Sequence, residues 1–280
     1  MKFLMIFKRK EILTYTIFGG LASLGLRWMV NVWLAGREYD ARIAQIQEKT
    51  CKEKPNNSNY SSRSFDEIFD SGDKLFDQGS FSDALIEYCR ALSINSRSAK
   101  ILTNIGAIRA LDNPAEGLSI LDLAETLQKD DLTSFNRGII LAKMGQFEQS
   151  LQAYTNAVNL GNRTPRCLFE RGLSFSGLGR WQEAETDFTE ALRQDSKNPR
   201  YMLFLAIAKG NINDYPAALE LLEKAILIQP ENAQNYYMKA IALGALGRAK
   251  SEVLHSLDKA LSIDPQYQAA LLLKAKVKHP

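Results

Sequence analysis

The chain has 280 residues, of which 45% are hydrophobic and 24% are charged, a composition typical of a folded protein and not of a disordered or fibrous one. Its 35 Lys and Arg against 32 Asp and Glu leave a formal charge of +3, and the basic excess lies in residues 1–54. The remaining residues lack the basic surplus that phosphate binding needs, so we predict no nucleic-acid partner.

Side chains suited to catalysis are few and scattered. The two histidines, His255 and His279, and the three widely separated cysteines have neither metal-ligand nor redox nor catalytic-triad spacing. We therefore predict that the chain is not an enzyme, with no catalytic residue, metal, cofactor or small-molecule substrate.

The N-terminal region has the pattern of a membrane anchor. After a basic flank at residues 1–10 comes an apolar stretch from Ile12 to Trp33, whose only charged residue is Arg27. As a helix this stretch would cover roughly 33 Å, enough to cross the hydrocarbon core of a bilayer. Bulky Trp33 stands where a signal peptide needs a small residue before its cleavage point. The sequence thus predicts a single retained transmembrane helix at 11–36.

Arg27 has two interpretations. It can lie near the far interface, with its guanidinium among the headgroups beside an aromatic belt. Alternatively, it belongs to a small and polar stripe that docks the anchor on another membrane protein, since such stripes let membrane helices pack closely. The predicted docking stripe comprises Thr16, Gly20, Ser23, Arg27 and Asn31.

Orientation and the following segment are encoded more weakly. The basic flank favours a cytoplasmic N-terminus and an extracytoplasmic location for the rest of the chain, although basic residues after the anchor oppose this. Residues 37–64 predict a juxtamembrane helix and then a flexible linker, because KPNNSNYSSRS offers little apolar surface to pack.

From Phe65 onward the sequence repeats itself at a period near 34 residues. Small residues recur in two sets, which predict close contacts between paired helices: Gly72, Gly106, Gly138, Gly172, Ala206, Ala240; and Ala91, Ala124, Ala157, Ala191, Ala225, Ala260. Gly or Asn recurs between them at residues suited to the left-handed turn that ends a helix: Gly79, Asn113, Gly145, Gly179, Asn213, Gly247. Each unit is therefore predicted to be a helix, a tight turn and a second helix.

These units resemble the tetratricopeptide repeat (TPR) family, on the residues Gly172, Phe175, Gly179, Trp181, Ala184, Phe188 and Ala191, and again Tyr215, Ala218, Leu222, Ala225 and Pro230. The resemblance implies an all-α fold, a right-handed superhelical solenoid of about six helix-turn-helix repeats preceded by the single N-terminal transmembrane helix. The repeats occupy 65–267, and a capping helix follows at 268–280. They divide as 65–98, 99–130, 131–164, 165–198, 199–232 and 233–267.

The family resemblance also implies protein binding in a concave groove lined by the first helices. Groove residues are then expected at the second, fifth and ninth positions of each repeat: Arg166 and Arg200; Phe135, Phe169, Leu203 and Tyr237; Ile139, Leu173, Ile207 and Ile241. These residues predict an apolar groove with a basic edge, suited to a peptide or amphipathic helix with acidic character. The same apolar residues would also serve packing between adjacent first helices, and the sequence leaves that alternative open.

The resulting hypothesis is a single-pass membrane protein that acts as a scaffold or adaptor. It would recruit protein partners, or help to assemble a membrane complex, through the TPR groove. The alternative is a constitutive structural subunit of a membrane complex, docked through its transmembrane helix. An enzyme that uses the repeats as a substrate arm is disfavoured, because little chain remains outside the repeats to hold an active site.

Overall fold

The computed structural model describes residues 22–51 and 63–279, and every regular element in these ranges is an α-helix. Helix α1 belongs to one compact unit, and the other helices belong to a second unit. The helices are α1 Ala22–Thr50, α2 Phe65–Asp77, α3 Phe81–Ile94, α4 Ala99–Asp112, α5 Pro114–Leu127, α6 Asp131–Lys143, α7 Phe147–Asn159, α8 Pro165–Gly177, α9 Trp181–Gln194, α10 Pro199–Asn211, α11 Tyr215–Ile228, α12 Ala233–Ala245, α13 Lys250–Ile263 and α14 Gln268–Lys278.

Helix α1 contains the end of the predicted membrane segment and runs on without a break to Thr50. None of the helices in the described part of the chain is both long enough and apolar enough to cross a membrane. The first ten residues of the predicted span, 12–21, lie outside the described residues, as does most of the predicted linker, residues 52–62. The transmembrane helix therefore stays a prediction.

The second unit is a row of six helical hairpins, which pair α2 with α3, α4 with α5, and so on to α12 with α13. In addition, the second helix of each hairpin packs on the first helix of the next one. Short polar side chains begin most first helices by accepting a hydrogen bond from a backbone N–H of the first turn. Ser98, Asp130, Thr164, Asn198 and Asn232 have this role.

Five of the six predicted turn residues have the left-handed backbone expected of them. Their φ angles lie between 65° and 77°, at Gly79, Gly145, Gly179, Asn213 and Gly247. Asn113 is the exception, because its φ is −137° and its side chain instead accepts a hydrogen bond from the backbone N–H of Glu116. Counted from the start of its repeat, the second helix of the second hairpin begins one residue earlier than in most of the other hairpins. Asn113 therefore starts α5 without a left-handed turn.

The two sets of small residues are the contact points within each hairpin. A Cβ atom on Gly172 would lie 2.6 Å from the Phe188 ring, and one on Gly138 would lie 2.5 Å from the ring of Tyr154. The alanines of the second set, such as Ala157 and Ala191, are fully buried. Where the two helices of a hairpin approach closely, the aromatic ring of the second helix fills the space between them. The facing residue of the first helix must therefore be small, which explains why a small residue recurs there.

Two arginines one residue before this small residue are structural. Arg171 makes two hydrogen bonds, of 2.7 and 2.6 Å, to the buried carboxylate of Asp187. Arg137 likewise contacts Asp122 and Glu125 on the preceding second helix, at 2.5 and 3.1 Å. Their recurrence at one repeat position reflects helix packing.

The stack has an inner side formed by first helices. The first helices of neighbouring hairpins contact each other, as α4 does α6, α6 does α8 and α10 does α12. Within residues 63–279, the second helices of neighbouring hairpins make no contact comparable to that between these first helices. Elements on the inside of a curve lie closer together than those on its outside, so the first helices line the concave side. We call this surface the inner face.

Candidate protein-binding face

The predicted groove residues occupy three positions of each first helix, counted from the helix start, and the structure separates them by exposure. Second-position residues are exposed: Leu132, Arg166, Arg200 and Gln234. Ninth-position residues are half-buried in Ile139, Leu173 and Ile207 and just exposed in Ile241. The fifth position is buried in Phe135, Phe169 and Leu203 and half-buried in Tyr237.

The burial at the fifth position corrects the expected apolar floor of the groove. Phe169 is only 1% exposed, because its ring lies 5.4 Å from the Phe188 ring and 4.8 Å from the Tyr201 ring. Phe135 is 6% exposed and lies 5.7 Å from Tyr154 in the same way. These side chains pack between their own second helix and the next first helix, so three of the four fifth-position residues offer almost no surface to a partner.

Cations cover the buried rings on the inner face. The Arg166 guanidinium lies 5.4 Å from the Phe135 ring centre, and that of Arg200 lies 4.6 Å from the Phe169 ring centre. Each cation comes from the second position of one hairpin and each ring from the fifth position of the hairpin before. Stacking on a ring engages the face of a guanidinium and leaves its in-plane N–H donors available. The two arginines are thus oriented and exposed at once.

The first two hairpins contain the same cation and ring together with an acid. Lys100 lies 4.2 Å from the Phe69 ring centre, and its Nζ is 3.6 Å from a carboxylate oxygen of Asp73. The same carboxylate accepts hydrogen bonds from the Tyr88 hydroxyl at 2.7 Å and from the Asn104 amide at 3.1 Å. Asp73 stands at the ninth position, so this acidic side chain neutralises the second-position cation within the chain.

The middle hairpins lack this acid. The ninth-position residues there are Ile139 and Leu173, and in the described residues neither Arg166 nor Arg200 has a carboxylate oxygen within 4.0 Å. Comparison of equivalent positions therefore identifies two arginines that lack the ninth-position acid.

One carboxylate, Glu170, lies near these arginines. Burial raises the pKa of Glu170 from its ordinary value, and the positive charges of Arg200, Arg166 and Lys143 oppose that rise. Three cations around one half-buried carboxylate leave this part of the inner face positively charged. An anionic group arriving from outside would meet an electrostatic field that attracts it.

Other groups considered in the sequence have structural surroundings. Cys167 is buried beside the middle hairpins, and burial raises the pKa of its thiol to about 12. Within residues 22–51 and 63–279, no group of three His, Cys, Asp or Glu residues is arranged to hold a metal ion. The predicted docking stripe cannot be placed in the same way. Thr16 and Gly20 lie outside the described residues, and only the helical backbone is described at Ser23, Arg27 and Asn31.

Sequence reasoning missed the internal acid on the inner face. Asp73 has the same repeat position as Ile139 and Leu173, so the signal was present in the comparison of one repeat with the next. It could have been found by asking which second-position cations have an acid at the preceding ninth position.

Comparison with known proteins supports the resemblance to tetratricopeptide repeats. Two family models, each described as tetratricopeptide repeat, match residues 135–199 and 177–241. No curated protein matches the sequence.

Several solved structures have a similar fold. YrrB, described as a TPR protein with an unusual peptide-binding site, has a TM-score of 0.62 at 16% identity, covering 67% of this chain and 97% of its own. PilF of Pseudomonas aeruginosa has a TM-score of 0.66 at 16% identity, covering 76% and 97%. A tetratricopeptide repeat protein from Parabacteroides merdae has a TM-score of 0.58 at 21% identity, covering 76% and 85%. At these identities the likeness establishes the fold alone.

Proposed function

We propose that this chain, whose residues 135–241 match tetratricopeptide repeat models, is a membrane-anchored scaffold whose inner face binds an acidic segment of a partner protein. TPR proteins bind protein or peptide partners, and their fold is of a scaffold type that is generally non-enzymatic. The proposed role is recruitment of a partner to a membrane, or assistance in assembling a membrane protein complex.

The observation that carries the proposal is the pair of arginines that lack the ninth-position acid found beside Lys100. Lys100 has Asp73 beside it, whereas Arg166 and Arg200 have none at the equivalent place. Guanidinium groups bind carboxylates through two parallel N–H donors, and prior orientation on an aromatic ring reduces the entropy lost on binding. The partner segment would place an Asp or Glu side chain, or a terminal carboxylate, on each arginine.

The apolar part of the same segment would lie beside the arginines. Leu132 at a second position, 40% exposed, and Ile241 at a ninth position are exposed apolar side chains on the inner face. The half-buried Ile139, Leu173 and Ile207 connect them along the inner face. The ligand class is therefore an extended peptide or helix with acidic side chains and intervening aliphatic ones. YrrB, which has a related fold and a peptide-binding site, supports a peptide as the ligand of such a face.

Fluorescence anisotropy on the purified full chain would test this proposal. Labelled peptides that alternate Glu with Leu are compared with peptides in which Gln replaces every Glu. We expect the acidic peptides to bind more tightly, and Arg166→Gln with Arg200→Gln to weaken their binding about tenfold or more, since a charged hydrogen bond contributes about 1.5–3 kcal/mol. Arg193→Gln is the matched control, because Arg193 is exposed on a second helix and already paired with Glu190.

Two results would contradict the proposal. One is equal affinity for the Glu and Gln peptides, and the other is an equal loss of affinity in the Arg193→Gln control. Binding that depends on the two arginines should also weaken as salt is added, because these exposed charges are screened.

The membrane anchor is the second part of the proposal, and the sequence from Ile12 to Trp33 supports it. We propose that this segment spans a bilayer once, with the repeats on the extracytoplasmic side. Alkaline carbonate extraction of membranes from cells that express the full chain tests the anchor. The chain should stay in the pellet, and replacement of Leu21 and Leu24 by Asp should release it. Protease accessibility near Pro55 tests the side.

The alternative function, a constitutive subunit docked through the stripe of Thr16, Gly20, Ser23, Arg27 and Asn31, predicts a different purification result. A constitutive subunit would co-purify at fixed stoichiometry in mild detergent and would be lost on combining Gly20→Leu with Arg27→Leu. A recruiting scaffold would instead lose its partner in the Arg166 and Arg200 variants and keep it in the stripe variants.

A further inference from the structure

The last described helix, α14, repeats the pattern of a first helix. Pro265 stands before it as Pro230 stands before α12, and Ala270 at its third position is as fully buried as Asn235 at the third position of α12. By this register, Leu271, Leu272 and Ala275 occupy the fourth, fifth and eighth positions of α14. Among residues 63–279, α14 packs on α13 and has no second helix of its own.

In the first five hairpins all three of these positions are buried. Leu168 and Phe169, at the fourth and fifth positions of α8, are buried, and Gly172 at its eighth position faces Phe188. On α14 the equivalent residues are open to solvent. Leu271 is 40% exposed, Leu272 is 69% exposed and Ala275 is exposed. A helical cap of a repeat array normally presents a polar outer face, so adjacent exposed leucines here indicate a surface that is covered by something else.

We propose that this open face of α14, formed by Leu271, Leu272 and Ala275, docks an acidic amphipathic helix of a partner protein. The docked helix would take the place that a second helix takes in each hairpin. The fourth hairpin shows the geometry required, because Phe188 of α9 packs on the fifth and eighth positions of α8. The site lies on α14, whereas Arg166 and Arg200 lie on α8 and α10, so a partner bound here would leave the two arginines free.

Charge indicates that the docked helix is acidic. Helix α14 has three lysines and no acidic residue; Lys274 is paired with Asp258 at 2.5 Å, whereas Lys276 and Lys278 are exposed at the end of the helix. A helix that packs antiparallel would bring its N-terminal turn to this end, where acidic side chains are favoured both by the lysines and by its own dipole. A second copy of α14 packed antiparallel would bring a first turn without acidic side chains to these lysines, and so would lack this charge complement.

The eighth position specifies which apolar residue the docked helix carries. Where this position is glycine, the facing residue is aromatic in three of the four hairpins, as Gly72 with Tyr88 and Gly172 with Phe188. Where it is alanine, the core residue on the second helix is leucine, since Ala206 packs in one cluster with Leu222 and Ala240 in another with Leu257. The added methyl group occupies the space that an aromatic ring needs. Ala275 therefore selects a helix with leucine at its centre.

The chain supplies a suitable probe in the sequence of α9, Trp181–Gln194, which has four acidic residues and one basic residue. A fluorescently labelled, helix-stapled peptide of this sequence with Phe188→Leu is titrated with the full chain in mild detergent, beside the unchanged Phe188 peptide. We expect the leucine peptide to bind about fivefold or more tightly than the phenylalanine peptide, and Ala275→Gly in the chain to reverse that preference, because steric misfit at one buried group changes affinity by about 1–3 kcal/mol.

Two chain variants locate the binding. Leu272→Glu should weaken leucine-peptide binding about tenfold or more, since it places a charge in the apolar contact. Leu227→Glu is the matched control, because Leu227 on α11 is 83% exposed and lies away from α14. Both replaced residues are exposed, so circular dichroism should show unchanged helicity.

Absence of peptide binding would overturn the proposal, and so would binding unaffected by Leu272→Glu. A third result would assign the face to a second copy of this chain: light scattering that shows a dimer which Leu272→Glu converts to a monomer. Replacement of the acidic residues of the peptide by lysine should abolish its binding, and retention of binding by that peptide would refute the charge argument.

Discussion

Replacement of Gly172 by alanine tests the packing principle of the whole array. A Cβ at this position would lie 2.6, 2.8 and 3.1 Å from three ring atoms of Phe188, which is itself fully buried. Such overpacking costs about 1–3 kcal/mol of unfolding free energy. Against this, alanine in a helix is more favourable than glycine by up to about 1 kcal/mol. The steric cost exceeds this gain in helix preference, so Gly172→Ala should destabilise the protein by about 1–2 kcal/mol.

Gly210→Ala provides the matched control. Gly210 also lies in a first helix, but a Cβ there would meet no atom within 4 Å. Only the helix preference then changes, and Gly210→Ala should be neutral or stabilise the protein by up to about 1 kcal/mol. The difference between the two glycine variants isolates the steric cost at Gly172.

A double-mutant cycle then identifies the partner of that contact. Phe188→Leu should be destabilising alone, because it leaves space beside Gly172. Combined with Gly172→Ala, it recreates the alanine and leucine pairing of Ala206 with Leu222. We expect a favourable coupling of about 1–2 kcal/mol, measured by urea unfolding of the purified chain followed by circular dichroism. Additive effects within error, or a Gly172→Ala variant as stable as Gly210→Ala, would refute the assignment of this contact.

Three further predictions concern buried polar groups. Asp187→Ala should lower the unfolding free energy by about 3–5 kcal/mol, because it leaves Arg171 without its buried partner. As a control, Glu190→Ala breaks an exposed ion pair and should lower the unfolding free energy by at most about 1 kcal/mol. Burial raises the pKa of Glu170 above 4.5, so the folded state holds this proton more strongly than the unfolded state does. The wild-type protein should therefore lose stability relative to Glu170→Gln as the pH rises above 4.5. A stability difference that does not change with pH would contradict this. Cys167, buried with a pKa of about 12, should react with iodoacetamide at pH 8 only after denaturation, as peptide mass spectrometry would show.

The sequence predicts the hairpins well because their geometry depends on local spacing. A small residue once per helix and a Gly or Asn at the turn are sufficient to define the register, and Gly172 against Phe188 has the predicted contact. The deviation at Asn113 has an equally local cause. The second repeat is one residue short there, and no spacing rule says whether the missing residue shortens the turn or a helix.

The inner face was predicted less completely, because its exposure depends on neighbouring hairpins. Periodicity places Phe169 on the correct side of α8 but gives no distance to Tyr201 on α10, whose ring lies 4.8 Å away and helps to bury it. For the same reason the sequence does not reveal that Asp73 neutralises Lys100 while Arg166 has no such acid. Second-position residues are exposed because they lie at the first turn, away from the tight contact between paired helices.

Site-specific photo-crosslinking in intact membranes tests the central claim most directly. A benzoylphenylalanine residue is placed at exposed Leu132 on the inner face and, as a control, at exposed Thr189 on the second helix α9. We expect the inner-face probe to crosslink an acidic, leucine-containing segment of a partner protein, and the crosslink to disappear when Arg166 and Arg200 are both replaced by Glu. Crosslinks of equal yield from Thr189, or an inner-face crosslink that persists without the two arginines, would contradict the account.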